Sequence, residues 1–436
     1  MNADKGLPMR SIAGTALLLA AIGGCSFTPI EPVDPGISSA TSRPPVELKS
    51  FDPPTRFDAA AVTPLEVSTD ADEVLLHGTT AVVPIHGSKP TASSEDEIRL
   101  VDVRTNTVRE VIKPTYPLPK IGTVTVLPAL TSVGGRPTVL APFLGESPGQ
   151  GTTPGRPLVE VVAIDPESGK ADWRAEIPVE GWPENGSANG VEVSVVGVAD
   201  GVGIVRIADS SLSAEGGDTY ALDLGSRKVL WSMRGFAGRA VAAGVVAGQQ
   251  PGAGQTPKVQ VRGIDARTGR QRWASPRDAY SVDVFAAGPS KAVVRGRTEP
   301  DGKRYVEVVE IATGRAVTVT EDKPDAPAPH PQDCVYDEQA ITICSGNDWV
   351  GALDAQTGSW LWSITKGGSR LVPYVTGAWH GVVYGRTDNG PVVLDGRTGT
   401  DRETQPGVAP SVVNDSVAIG PWPGGNLGSS SYPVIG

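Results

Sequence analysis

The sequence predicts an all-β protein folded as a β-propeller of four-stranded blades, with seven blades favoured over eight. Three observations predict it. One motif recurs seven times along most of the chain. Its spacing settles just above 40 residues, the length of one propeller blade. In addition, 53 glycines and 39 prolines punctuate short apolar runs throughout the 436 residues, the pattern of many short strands joined by turns.

The motif is complete in AIDPESGKADW (163–173), ALDLGSRKVLW (221–231), GIDARTGRQRW (263–273) and ALDAQTGSWLW (352–362). Each copy sets an Asp eight residues before a Trp: Asp165 and Trp173, Asp223 and Trp231, Asp265 and Trp273, Asp354 and Trp362. Three weaker copies keep the frame around Asp102, Glu310 and Asp395, but put Glu110, Thr318 and Glu403 at the Trp position. The acidic anchors at 102, 165, 223, 265, 310, 354 and 395 are separated by 63, 58, 42, 45, 44 and 41 residues. The two long early intervals hold turn-rich insertions at 144–157 and 180–190, read as long loops on one face.

Each residue type has a physical role. An apolar strand runs into the Asp, whose carboxylate accepts backbone N–H groups of the turn ahead. The following Thr or Ser adds a local hydrogen bond. The Gly takes the left-handed conformation that a short bulged hairpin needs. Asn106 holds that place in the first copy, Asn being the next residue to tolerate positive φ. The chain then reverses into an outer strand ending at Trp. Its ring is suited to packing on the neighbouring blade, with an N–H that needs one acceptor.

The pattern A-x-D-x-x-T/S-G-x-x-x-W resembles the tryptophan-docking motif of quinoprotein, or PQQ-like, propellers. The resemblance covers residues 99–405. It implies seven blades from seven motifs. The segment APSVVNDSVAIGP (409–421) resembles the start of another blade without a motif. Pairing it with N-terminal strands around Leu65–Val83, such as EVLLHG (73–78), closes the ring or completes an eighth blade and removes exposed edges.

Residues 1–25, MNADKGLPMRSIAGTALLLAAIGGC, read as an address. Lys5 and Arg10 precede an apolar run, Ile12 to Ile22, too short to span a bilayer as a permanent helix. Met9 is an alternative start. The ending Ile22-Gly23-Gly24-Cys25 resembles the lipobox of bacterial lipoproteins. That resemblance implies removal of residues 1–24, lipidation of Cys25, and a body held outside the cytoplasm on the cell membrane, or on an outer membrane where the host has one. Two acyl chains hold such an anchor firmly. Residues 25–58 follow as a lipidated Cys and a Pro/Ser-rich tether, and 59–436 form the propeller.

Two further cysteines, Cys334 and Cys344, flank DCVYDEQAITIC. A hairpin turning at Glu338–Ala340 sets them opposite each other and predicts a disulfide in an oxidising compartment.

The sequence offers little catalytic chemistry. A formal charge of −11 argues against a nucleic-acid partner. No metal-ligand spacing occurs, and His77, His86, His330 and His380 are scattered. Quinoprotein enzymes stack their quinone on a disulfide between adjacent cysteines, and this chain has no Cys-Cys pair. The expectation is a non-enzyme without cofactor or metal: a membrane-anchored scaffold for an envelope protein, similar to lipoproteins of the BamB type. A propeller reading a glycan, peptide or small molecule is the alternative, and a PQQ-dependent dehydrogenase the third. Trp182, in the 180–190 insertion, is the candidate partner-binding aromatic; Trp349, Trp379 and Trp422 also lie off the docking positions.

Overall fold

In a computed structural model of the chain the described residues are 48–65, 73–86, 96–118, 124–180, 190–209, 216–252, 258–277, 279–298, 301–322, 329–421 and 429–436. The body spans Pro44–Gly436. The signal segment, Cys25, most of the tether, Trp182 and Trp422 lie outside the described residues.

All described elements are strands. They form eight four-stranded antiparallel units, called blades 1 to 8 here. Seven are continuous in sequence: 75–112, 129–178, 191–233, 237–274, 279–321, 333–365 and 374–403. A single pair, Val259 with Ala279, joins blades 4 and 5 into one sheet. One extra strand, Val124–Leu127, pairs in parallel with the inner strand of blade 3, Val191–Ala199.

Blade 8 is built from both ends of the chain. The C-terminal part supplies Val412–Val413, Val417–Pro421 and Ser429–Pro433, and the N-terminal Thr63–Pro64 adds the outermost strand by pairing with Ser431 and Ser430. The described strands thus group into eight four-stranded units, one more than the seven motifs. Blade 8 carries no motif because its third and fourth strands come from opposite termini, so no turn joins them. The closing strand also differs from expectation. Part of EVLLHG forms the inner strand of blade 1, Leu75–His77, while the closing role falls to Thr63–Pro64. Proline is tolerated there because an outermost strand leaves its outward backbone groups unpaired.

Inner strands of successive blades lie side by side from blade 2 through blade 8 to blade 1. The middle strands are therefore buried on both faces and carry unbroken apolar runs, such as Val139–Leu144 and Val161–Ile164. The outer strands alternate: Lys228–Met233 exposes every second residue. Seven apolar clusters fill the ring, most of them spanning neighbouring blades.

The end of the expected tether is built into the body. Phe57 is 2 % exposed and meets Tyr384 edge-on, with ring centroids 5.8 Å apart. The Tyr384 hydroxyl donates to the Pro54 carbonyl at 2.7 Å, and the amides of Thr55 and Arg56 donate to the Gly436 carbonyl at 2.7 and 2.9 Å. Residues 50–65 thus form a strap across blades 7 and 8. Its apolar side chains and backbone bonds explain why a proline-rich stretch binds here.

The 144–157 insertion differs from a loop. Strands Arg136–Ser147 and Arg156–Ile164 stay paired out to Ser147 and Arg156, extending the second hairpin of blade 2 beyond its neighbours. Only the two ends of 180–190 are among the described residues.

Candidate functional site

The meander gives the disc two faces. The turns after each inner strand and the motif turns lie on one face. The hairpins between second and third strands, and the connections between blades, lie on the other.

The motif face is structural. Asp265 Oδ1 accepts from the amides of Arg267 and Thr268 at 3.2 and 2.8 Å and from the Thr268 hydroxyl at 2.8 Å. Asp354 repeats this with Gln356 and Thr357, and Asp395 with Arg397 and Thr398. Asp165 accepts from Glu167 and Ser168, and Asp223 from Ser226. The Arg272 guanidinium, then the Thr268 hydroxyl, hold the Asp265 carboxyl down at about 2. The motif glycines take positive φ, as does Asn106 at 53°. At the same place in blade 3 stands Arg227, also at positive φ, 60°.

Each docking Trp reaches the following blade. Trp231, Trp273 and Trp362 donate their ring N–H to the carbonyls of Ala266, Ile311 and Gly396, each at 2.8 Å. The acceptor is always the residue after the next blade's acidic anchor. The ring face lies on that blade's motif glycine: a Cβ on Gly269, Gly314 or Gly399 would come within 2.8, 2.5 or 2.6 Å of it. The motif Gly is therefore needed twice, for its φ and for the bare surface on which the preceding Trp rests. The sequence shows the first need and hides the second. Trp173 faces Arg227 in place of Gly, and the guanidinium sits 5.7 Å from its ring centroid, within cation–π range.

Asp337, which no sequence pattern singled out, ties blade 6 to blade 7 on the same face. Its buried carboxylate accepts from the amides of Gln339, Ala340 and Ile341 at 3.0, 2.7 and 2.8 Å, and from Gly381 of blade 7 at 2.8 Å. Beside it, Cys334 and Cys344 are direct cross-strand partners joined by a disulfide of 2.05 Å. His380 bonds Asp52 of the strap at 2.5 Å, and His86 bonds Glu73 at 2.7 Å. Trp349 packs edge-on against Trp360 with centroids 5.1 Å apart, and Trp379 stacks on His380. Among the described residues no three His, Cys, Asp or Glu side chains converge as metal ligands would.

The opposite face carries the concave surface. Between blades 6 and 7 a groove of about 530 Å³ is lined by Asp348, Lys366, Arg370, Tyr374 and Arg386. It adjoins a second hollow of about 330 Å³ through Arg370 and Leu371. Tyr374 is 65 % exposed, with the Arg386 guanidinium 5.0 Å from its ring centroid. Leu371 and Tyr280 are exposed on this same face. A third cleft, of about 230 Å³, opens at the top of blade 5.

No family model matches the chain, and no curated protein matches it. Among solved structures, a quinohemoprotein alcohol dehydrogenase from Comamonas testosteroni aligns at 12 % identity over 87 % of this chain and 77 % of its own, with a TM-score of 0.51. The C-terminal WD40 domain of Sif2 aligns at 11 % identity over 89 % of this chain and 98 % of its own, with a TM-score of 0.44. The chain is a β-propeller. At such identities the likeness concerns the fold alone.

Proposed function

We propose that this propeller is a non-enzymatic scaffold, anchored through a lipidated Cys25 and binding a protein partner of the bacterial cell envelope. One observation carries the reading. Tyr374, Tyr280 and Leu371 are 65, 63 and 49 % exposed and share the face opposite the motif turns. Tyrosine with arginine beside it is the composition of interface hot spots. The lipobox and the Cys334–Cys344 disulfide are consistent with an extracytoplasmic body.

A photo-crosslinking residue at position 374 of the full-length lipoprotein, in native membranes, tests this. Recurrent capture of one envelope protein supports the scaffold. Absence of any protein adduct sinks it and favours the second reading, a glycan or peptide in the groove between blades 6 and 7. That reading draws on the groove's volume and its mixed donors and acceptors.

A further inference from the structure

The cleft on blade 5 is built from three neighbouring strands. Arg295 and Arg297 sit two residues apart on Lys291–Thr298, and so on one face of the sheet. Arg304, the first residue of the next strand, is the direct cross-strand partner of Arg297. Like charges placed directly opposite destabilise a sheet, and the nearby carboxylates answer only part of this arginine cluster. Asp283 answers Arg295 at 2.8 Å, and Asp322 answers Arg304 at 3.3 Å. Among the described residues no carboxylate pairs with Arg297, whose side chain lines the cleft and is exposed.

His330 closes the far wall, with Nδ1 3.1 Å from an Arg295 amino group. Burial first, then Arg295, Arg304 and Arg297, push its pKa below the usual imidazole value; Asp283 opposes them. Three arginines thus stand around the imidazole in a chain whose net charge is −11. Tyr280 stands open at the rim, and Tyr305 lines the cleft from the third strand.

We propose that this cleft binds a phosphate group, with Arg297 as its principal ligand, Arg304 and Arg295 flanking it, and Tyr280 at the rim against whatever the phosphate is attached to. Guanidinium groups recognise phosphate through paired, charge-assisted hydrogen bonds. A bound phosphate would also relieve the Arg297–Arg304 repulsion. The site lies apart from the groove at blades 6 and 7 and does not depend on the scaffold reading.

The test is calorimetric titration of the full-length lipoprotein, in detergent, with inorganic phosphate, while the His330 ring signals are followed by NMR. Phosphate should bind and raise the His330 pKa. Arg297→Ala should weaken binding about tenfold, as the loss of a charged hydrogen bond does, and Arg297→Lys should restore part of it. Arg315→Ala, an exposed arginine at the motif turn of the same blade, should leave binding unchanged. Sedimentation with phosphatidate vesicles, against phosphatidylcholine vesicles, separates a lipid headgroup from a soluble source. Binding of either form that Arg297→Ala weakens upholds the site. Two results overturn it: no heat and no His330 response up to phosphate concentrations on the order of 10 mM, or equal weakening by Arg315→Ala.

Discussion

The two faces of the disc are made by the same strands and differ in what their turns are asked to do. On the motif face the motif's own polar groups have tasks inside the fold. The anchor acids hold their own turns, each docking Trp meets the next blade's glycine, and Asp337 bridges blades 6 and 7. On the opposite face Tyr374, Leu371 and Tyr280 stand open, and arginines line hollows. Conserving energy in one set of turns leaves the other set free to vary without loss of the ring.

Substitutions on the motif face should therefore cost stability, and those on the other face should not. The largest effect is expected at Asp337. Asp337→Ala strands four amides around a buried site and should lower stability by about 4 kcal/mol, read as a shift in the urea midpoint. Trp273→Ala follows, at about 3 kcal/mol, because it removes both the ring on Gly314 and the bond to Ile311. Thr318→Ala, at the docking position of a blade that lacks the ring, should cost below about 1 kcal/mol. Equal losses at 273 and 318 would break the docking account.

Glycines sharpen the same contrast. Gly314 and Gly78 both have positive φ, but only Gly314 lies under a Trp ring. Gly314→Ala should cost about 2 kcal/mol and Gly78→Ala about 1, the backbone part alone; matched thermal scans of the two variants decide it.

Acid supplies a smaller effect. Asp265 titrates near 2 in the fold, below its unfolded value. Its contribution is complete above about pH 4, the unfolded carboxyl range, and is lost as pH falls through the folded value. Asp265→Asn should flatten that part of the acid-unfolding curve, and an unchanged curve would remove Asp265 from the account. Smallest of all, Tyr374→Ala should leave stability within about 0.5 kcal/mol while removing partner capture.

The repeat was legible because it is written locally. An Asp, a Gly and a Trp within eleven residues specify a turn and a docking ring without knowledge of the rest, and a symmetric hairpin sets Cys334 against Cys344. Blade 8 was partly legible, since 409–421 reads as the start of a blade completed from the N-terminus; its outer strand, Thr63–Pro64, was missed because it lies more than 360 residues from its partners Ser430 and Ser431 and has only two residues to announce it. The strap was hidden by its prolines, which suit a tether and a docked segment equally; Phe51 and Phe57 were the signal against a free chain. Arg227 at positive φ departs from the Gly pattern, and only the structure shows it over Trp173. The blade 5 cleft depends on register between strands, which spacing along the chain does not reveal.

The division of labour between the faces is tested most directly by photo-crosslinking from three positions in the full-length protein: 374 on the open face, 397 on the motif face and 317 on an outer strand. All three side chains are exposed. The account predicts one recurrent envelope protein captured from 374 and not from 397 or 317. Capture of that protein from 397 or 317 but not from 374, or the same capture from all three, would contradict it.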